Sequence, residues 1–191
     1  MKHSEDSIVV HGFAALAEGL DFPRPELVAL TAENPLLQRI APVDKLDAHW
    51  QMLTDWMQSI PDPLERLDML QTGYYEMFLR PGTDLFLSLH HWYQNESPAT
   101  FLADLDNLLA EMELSQSPDW SNGSDHLAIV FELLAHMAAT QDPRFSIFVL
   151  RYVRPWFPIF VRRMHERAAN DFYRVMSIIA SEVDRAMEDL I

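Results

Sequence analysis

Apolar side chains recur along this chain with the spacing of an α-helix, and this feature limits the possible folds more than any other. From Leu46 to Met57 the large apolar residues fall at i, i+4, i+7 and i+11, and a second stripe runs through residues 171–190. Alternating apolar and polar runs bounded by hairpin turns are missing from the sequence. The pattern predicts an all-α fold, a single-domain helical bundle over residues 1–191.

Several segments carry the residues that start helices. Asp62-Pro63-Leu64-Glu65 places an acid at the N-cap, proline at the first helical position and glutamate at the third, which predicts a helix reaching about Phe78. Ser97-Pro98 repeats this arrangement before a broad apolar face. Further helices are predicted over residues 1–20, 25–31, 124–140, 171–190 and 143–164, the last with a break near Pro155 and Pro158.

The polar segment 115–124, which contains Pro118 and Gly123, is predicted to be the longest mobile connection. As a hinge it would permit helix exchange between two subunits, so we expect a monomer or a domain-swapped dimer. Repeats at a fixed period are absent from the sequence, which argues against a solenoid.

The charge balance excludes several classes of partner. The chain has 14 basic and 29 acidic side chains, a formal net charge of −15. Nucleic acids and anionic membrane surfaces bind proteins through clustered Lys and Arg, so this balance argues against both and favours a cationic partner.

The lack of cysteine excludes disulfide bonds and zinc–thiolate sites. Glu5 and Asp6 stand where a secretion signal would be basic, so we expect a cytoplasmic protein without membrane insertion.

Motifs for catalysis or cofactor binding are missing from the sequence. It contains no glycine-rich dinucleotide or phosphate loop, no nucleophile elbow and no H-E-x-x-H zinc motif. His90-His91, and Glu132 with His136 one helical turn later, could each supply two metal ligands, but nothing nearby in the sequence completes a site. We interpret these histidines as ordinary surface or core-edge residues and expect no catalytic residue, no metal and no cofactor.

The aromatic residues divide into two groups. Trp50, Trp56 and Phe172 follow helical periodicity and are predicted to lie in the core. Trp92-Tyr93 stands beside His90-His91 in a loop-like stretch, where core packing and peptide anchoring fit about equally well, because amphipathic rings next to polar residues often hold a peptide ligand.

Three segments form a pattern when they are taken together. The first is Tyr74-Tyr75-Glu76-Met77-Phe78-Leu79-Arg80-Pro81, followed by Leu87-Ser88-Leu89 and Glu96-Ser97; the second is Asp125-His126 at the start of an apolar helix; the third is Pro155-Trp156, Phe160, Ala168 and Phe172-Tyr173. In order and spacing they resemble the TorD/DmsD/NarJ family of cytoplasmic chaperones, which mature molybdenum-containing redox enzymes.

The resemblance implies an all-helical protein without catalytic activity. It implies binding of the apoenzyme of a molybdopterin oxidoreductase, or of its twin-arginine signal peptide, and assistance with cofactor insertion before export or assembly. It also implies a client-binding groove, whose expected residues are Tyr74, Phe78, Trp92, Tyr93, Glu96, Asp125 and His126.

Asp125 and His126 have a physical interpretation as well. A helix that begins near Ser124 would present free backbone N–H groups, which Asp125 would stabilise as the N-cap or as a first-turn acid. The same field would keep His126 neutral. The two residues therefore either cap the helix and fix the preceding loop, or take part in client binding, or do both.

Functions of other classes remain as alternatives. A helical small-molecule-binding regulatory module would use the Trp and Met residues to line a pocket, although a basic helix-turn-helix segment is missing. A helical hydrolase or metalloenzyme is disfavoured because its motifs are missing.

Overall fold

Helices make up nearly all of the regular structure in the part of the chain that the computed structural model describes, which comprises residues 2–30, 33–40, 44–92, 97–114 and 123–190. Within these ranges the β-type pairing is limited to an isolated bridge between Ser88 and His126. The prediction of an all-α single-domain bundle is confirmed. None of the helices in these ranges combines the length and the apolar character needed to cross a membrane.

Most of the predicted helices are present, and α2 is a further helix that the sequence signals did not indicate. The α-helices are α1 (Lys2–Leu20), α2 (Pro35–Ile40), α3 (Asp47–Ser59), α4 (Pro63–Tyr74), α5 (Pro98–Glu111), α6 (Leu127–Ala139), α7 (Phe145–Phe148), α8 (Phe157–Glu166) and α9 (Asp171–Leu190). Short 3-10 turns span Pro25–Val28, Asp44–Leu46 and Leu89–His91, and π-helical turns span Tyr75–Leu79 and Val149–Val153.

Side-chain caps explain where several helices begin. The Asp62 carboxylate accepts a hydrogen bond from the Leu64 N–H at 2.9 Å, and the Ser97 hydroxyl accepts one from the Thr100 N–H at 3.3 Å, so both predicted starts are confirmed. Asn34 caps α2 by accepting from the N–H groups of Leu36 and Leu37. Each cap satisfies backbone donors that a helix start leaves without an intrahelical partner.

α1 lies at the centre of the bundle, since its contacts with α6 and α9 are the most extensive between helices in the described ranges. Phe13 stacks on Phe131 of α6 with ring centroids 5.5 Å apart. Gly12 and Gly19 face α9, where an added Cβ would overlap Val183 and Met176 respectively. The missing side chains therefore let α1 and α9 approach closely.

The predicted apolar stripe of α9 is confirmed, because its members are buried against the rest of the bundle: Phe172, Val175, Met176, Ile179, Val183 and Met187. Trp56 and Phe172 are both buried, and their ring centroids lie 5.7 Å apart. Trp50 is half-buried and packs against the core. The core assignments made from helical periodicity thus agree with the structure.

Three predicted helix bounds differ from the structure. Residues 25–31 form only the short 3-10 turn, and 143–164 is divided at the predicted break into α7 with its π-helical turn and α8. The helix expected from residue 124 begins at Leu127, because Ser124 and Asp125 form a turn first. Of the predicted mobile connection, residues 115–122 lie outside the described residues, so its mobility and the helix exchange remain predictions.

Candidate functional site

Two segments separated in sequence by α5 are joined by backbone hydrogen bonds. The Leu89 N–H donates to the Asp125 carbonyl at 2.8 Å, and the Leu127 N–H donates to the Leu87 carbonyl at 2.7 Å. We call this pairing of residues 87–90 with residues 125–127 the junction. It holds the predicted site residues Asp125 and His126 against the segment that carries Trp92.

The buried Asp125 side chain binds His90 and does not cap a helix. Its Oδ2 accepts from the His90 backbone N–H at 3.2 Å and from His90 Nδ1 at 2.5 Å. The expectation that Asp125 is the N-cap or a first-turn acid is therefore wrong. The helix begins two residues later, and the carboxylate closes the junction instead.

His126 is the N-cap of α6. Its Nδ1 accepts a hydrogen bond from the Ala128 N–H at 3.2 Å, which requires an unprotonated Nδ1. Burial lowers the pKa of His126, while the charges of Asp21 and Asp125 act in the opposite direction. Both observations agree with the predicted neutral ring, although burial, and not the field of the helix, is the main cause of the lowered pKa.

Trp92 packs at the edge of the aromatic core. It is half-buried and stacks on Trp156 with centroids 5.5 Å apart, and its Nε1 donates to the Phe86 carbonyl at 2.8 Å. The Arg163 guanidinium lies 5.5 Å from the centre of its ring. The described contacts of Trp92 thus belong to core packing. Tyr93 and Glu96, the other predicted site residues of this stretch, lie outside the described residues.

The π-helical turn that extends α4 decides which aromatic residues face solvent. Tyr74 and Phe78 are only 3% and 6% exposed, and the centroids of their rings lie 5.2 Å apart. Tyr75 and Leu79, one position further along, are each 53% exposed. Tyr74 and Phe78, the predicted groove residues, therefore face inward, and Tyr75 and Leu79, which were not predicted, face solvent. The outward pair has the same i, i+4 spacing as the inward pair, so the spacing alone could not show which pair faces solvent.

The loop after α1 lies beside the same helix. The ring of Phe22, 49% exposed, meets the edge of Tyr74 at 5.4 Å, and Gln71 donates to the Pro23 carbonyl at 3.1 Å. Burial and, to a smaller extent, the negative charge of Asp21 raise the pKa of Tyr74. For His126, burial lowers the pKa, and the charge of Asp21 offsets only part of that lowering. This loop therefore lies near both Tyr74 and the junction.

Exposed apolar and acidic side chains both occur along α4, its π-helical turn and the loop after α1. We call Phe22, Tyr75 and Leu79 the α4 surface. Exposed acidic residues accompany it along the same helix and turn: Glu65, Asp68 and Glu76. Arg80, directly after Leu79, is exposed as well, so the three acids outnumber the exposed arginine of this helix and turn. A surface of this composition can bury an apolar segment while it attracts positive charge.

Groups of three or more potential metal ligands do not occur among the residues described here. His90 lies beside His91, with ring centroids 4.1 Å apart, but its Nδ1 is bound to Asp125. Glu132 forms an ion pair with Arg39 at 3.2 Å. One member of each pair that could have held a metal ion is thus engaged in another contact.

Comparison with protein families gives a match over residues 43–162, to the family described as the nitrate reductase delta subunit. The match extends from just before α3 into α8 and contains the junction, the π-helical turn of Tyr75–Leu79 and Trp92. No match was found among curated proteins or among solved structures.

Proposed function

The chain belongs to the nitrate reductase delta subunit family, a family of molybdoenzyme maturation chaperones, and from this we propose that it binds the apoenzyme or the twin-arginine signal peptide of a molybdopterin oxidoreductase in the cytoplasm. In this proposal the chain assists cofactor insertion before export or assembly and catalyses no reaction itself.

The observation that carries the proposal is the α4 surface with its acidic neighbours. A signal peptide of this class contains two arginines and an apolar stretch. The exposed rings and the leucine would bury the apolar stretch, and Glu65, Asp68 and Glu76 would attract the arginines. The net charge of −15 supports capture of a basic peptide.

A second exposed apolar pair, Ile147 and Leu150, is a poorer candidate for a basic peptide. It lies in residues 143–165, which contain five arginines and no Asp or Glu. Arg144, Arg154, Arg162 and Arg163 are ion-paired with acids from outside this range. This pair therefore lacks the excess of exposed carboxylates that would attract the client's arginines. The two apolar pairs therefore serve as a test surface and a matched control.

The predicted groove residues divide into contact and positioning roles. Tyr74 and Phe78 are buried and would support the α4 surface from below, and the Asp125–His90 link would hold the junction in place. Trp92 would border the groove from the edge of the core. Tyr93 and Glu96 remain proposed client contacts.

The test compares the double variants Y75S/L79S and I147S/L150S. Each removes two exposed apolar side chains from a helical turn, so we expect neither to lower stability by more than about 0.5–1 kcal/mol. Binding of the client leader peptide, measured by titration calorimetry, should weaken at least about tenfold in Y75S/L79S and remain unchanged in I147S/L150S. Equal affinity of both variants would exclude the α4 surface as the binding site.

A further inference from the structure

Negative charge is concentrated at the start and in the first half of α4. Three exposed carboxylates lie there, and they belong to the N-cap Asp62, to Glu65 and to Asp68. The ion pairs between residues that the structure describes all involve other acids, so none of these three carboxylates is neutralised by an ion pair.

Positive charge nearby offsets only part of this negative charge. The buried Arg66 donates from Nη1 to the Met57 carbonyl at 2.8 Å, so its guanidinium is turned toward the end of α3. The N-terminus of the helix dipole adds about half a positive charge. Three negative charges against about one and a half positive charges leave the first half of α4 acidic.

The α4 surface lies along the end of the helix and its π-helical turn, where opposite charges are balanced. The exposed Glu76 is followed four residues later by the exposed Arg80. In the adjoining loop, Asp21 Oδ2 lies 3.5 Å from Arg24 Nη2. The exposed rings and Leu79 therefore stand among balanced charges, which favours contact with apolar groups over contact with cations.

The acidic half of α4 also offers apolar area to a long basic side chain. Leu64, directly before Glu65, is 73% exposed. Leu64 and Asp68 are one helical turn apart and therefore share a face of the helix. An arginine gains from apolar contact along its aliphatic stem while its guanidinium binds a carboxylate. Both contacts are available together at this end.

The two ends are far enough apart to bind different parts of one peptide. At 1.5 Å per residue, Asp68 and Tyr75 are separated by about 10 Å along the axis, and Glu65 and Leu79 by about 20 Å. A secretory leader has its basic segment first and about 7–15 apolar residues after it. The order along α4, acidic and then apolar, matches the order along the leader.

We propose that the client leader lies along α4 in the same direction as the helix, with its arginines at Glu65 and Asp68 and its apolar segment on the α4 surface. This inference rests on the proposed function and adds a direction and a division between the acids. Glu65 and Asp68 contact the arginines, whereas Glu76 acts only through the general negative field. The reverse direction would bring the arginines beside Arg80, where like charges repel.

The first experiment measures paramagnetic broadening of the amide NMR signals of the full chain. The probe is a synthetic leader with two arginines followed by about 12 apolar residues and a single cysteine that carries a nitroxide. The chain has no cysteine, so only the peptide carries the label. A nitroxide before the arginines should broaden the signals of Glu65 and Asp68 most, and one after the apolar segment those of Leu79 and Arg80.

The second experiment compares two single variants that each remove one exposed acid of the same helix and turn. Asp68→Asn should weaken binding of the synthetic leader about threefold, as expected for an exposed ion pair, and should not change the affinity of an Arg-to-Gln leader. Glu76→Gln, the matched control, should show no such coupling to the arginines. Asp68 lies beyond the first turn of α4, so its substitution leaves the helix cap in place.

The outcomes separate this inference from the proposed function. Broadening in the stated order, together with coupling at Asp68 alone, supports the direction. Broadening in the reverse order, or equal coupling at Asp68 and Glu76, overturns the direction, while the proposed function stands because the leader still binds. If the synthetic leader does not bind at all, the inference and the signal-peptide form of the proposed function fail together, and only recognition of the mature apoenzyme remains.

Discussion

The ring of His126 caps α6, and two substitutions separate this cap from a role in client maturation. His126→Ala should lower the free energy of unfolding by about 1 kcal/mol, because the Ala128 N–H loses its acceptor. His126→Asn should keep most of the stability, since asparagine is among the best N-caps. We expect both variants to impair maturation of a co-expressed client enzyme. Full activity with His126→Asn would show that the residue acts only as a cap.

The lowered pKa of His126 predicts a pH dependence of stability. As the pH falls below about 6.5, the unfolded chain takes up a proton that the folded ring takes up only at lower pH, so the folded state loses stability. We therefore expect the free energy of unfolding, measured with urea, to fall more for wild type than for His126→Asn between about pH 7.5 and about pH 5.5. His49 and His91, whose pKa values burial also lowers, contribute equally to both proteins. Equal losses of unfolding free energy in the two proteins would contradict a lowered pKa of His126.

Short-range signals in the sequence predicted two helix caps correctly but gave no indication of the junction. Asp62 and Ser97 bind N–H groups two or three residues away, so local spacing was sufficient. The bond between His90 and Asp125 joins residues 35 positions apart, and nothing in a single sequence indicates such a pair. Histidine is also not among the residues preferred at an N-cap, which explains why Asp125 was favoured over His126.

At the scale of whole elements, helical periodicity predicted the α9 stripe but not the orientation of the turn after α4. Tyr74 with Phe78 and Tyr75 with Leu79 have the same i, i+4 spacing, so either pair could face the core. The π-helical turn and the packing of Phe78 against Tyr173, 5.9 Å away, select the first pair. Periodicity indicates that a buried face exists, and tertiary contacts decide which residues form it.

The close approach of α1 and α9 predicts different effects for two glycine substitutions. Gly12→Ala should destabilise the chain by about 1–3 kcal/mol, because the new Cβ meets Cγ2 of the stiff, buried Val183. Gly19→Ala should cost less, since the nearest atom is the end of the flexible Met176 side chain and alanine favours the helix. Urea unfolding of both variants measures the difference. Equal destabilisation would contradict this account of the interface.

At the scale of the whole molecule, the net charge of −15 predicts how salt affects client capture. The acidic residues beside the α4 surface are exposed, and salt screens such charges over ~10 Å at 0.1 M. Moderate salt should therefore slow association with the leader more than it speeds dissociation, because the apolar contacts persist. Stopped-flow kinetics at two salt concentrations, with an Arg-to-Gln leader as control, test this. A salt effect confined to dissociation would place the charge pairs inside the interface.

The proposed function requires that the chain hold an immature molybdoenzyme through its leader or its mature domain. The most direct measurement is a titration of the purified chain with the client leader peptide and, separately, with the client apoenzyme that lacks its leader. We predict saturable binding of at least one of them, and no binding of the same enzyme once its cofactor is inserted. Binding of the mature apoenzyme alone would replace the signal-peptide mechanism with mature-domain recognition. Failure of both to bind would contradict the chaperone function.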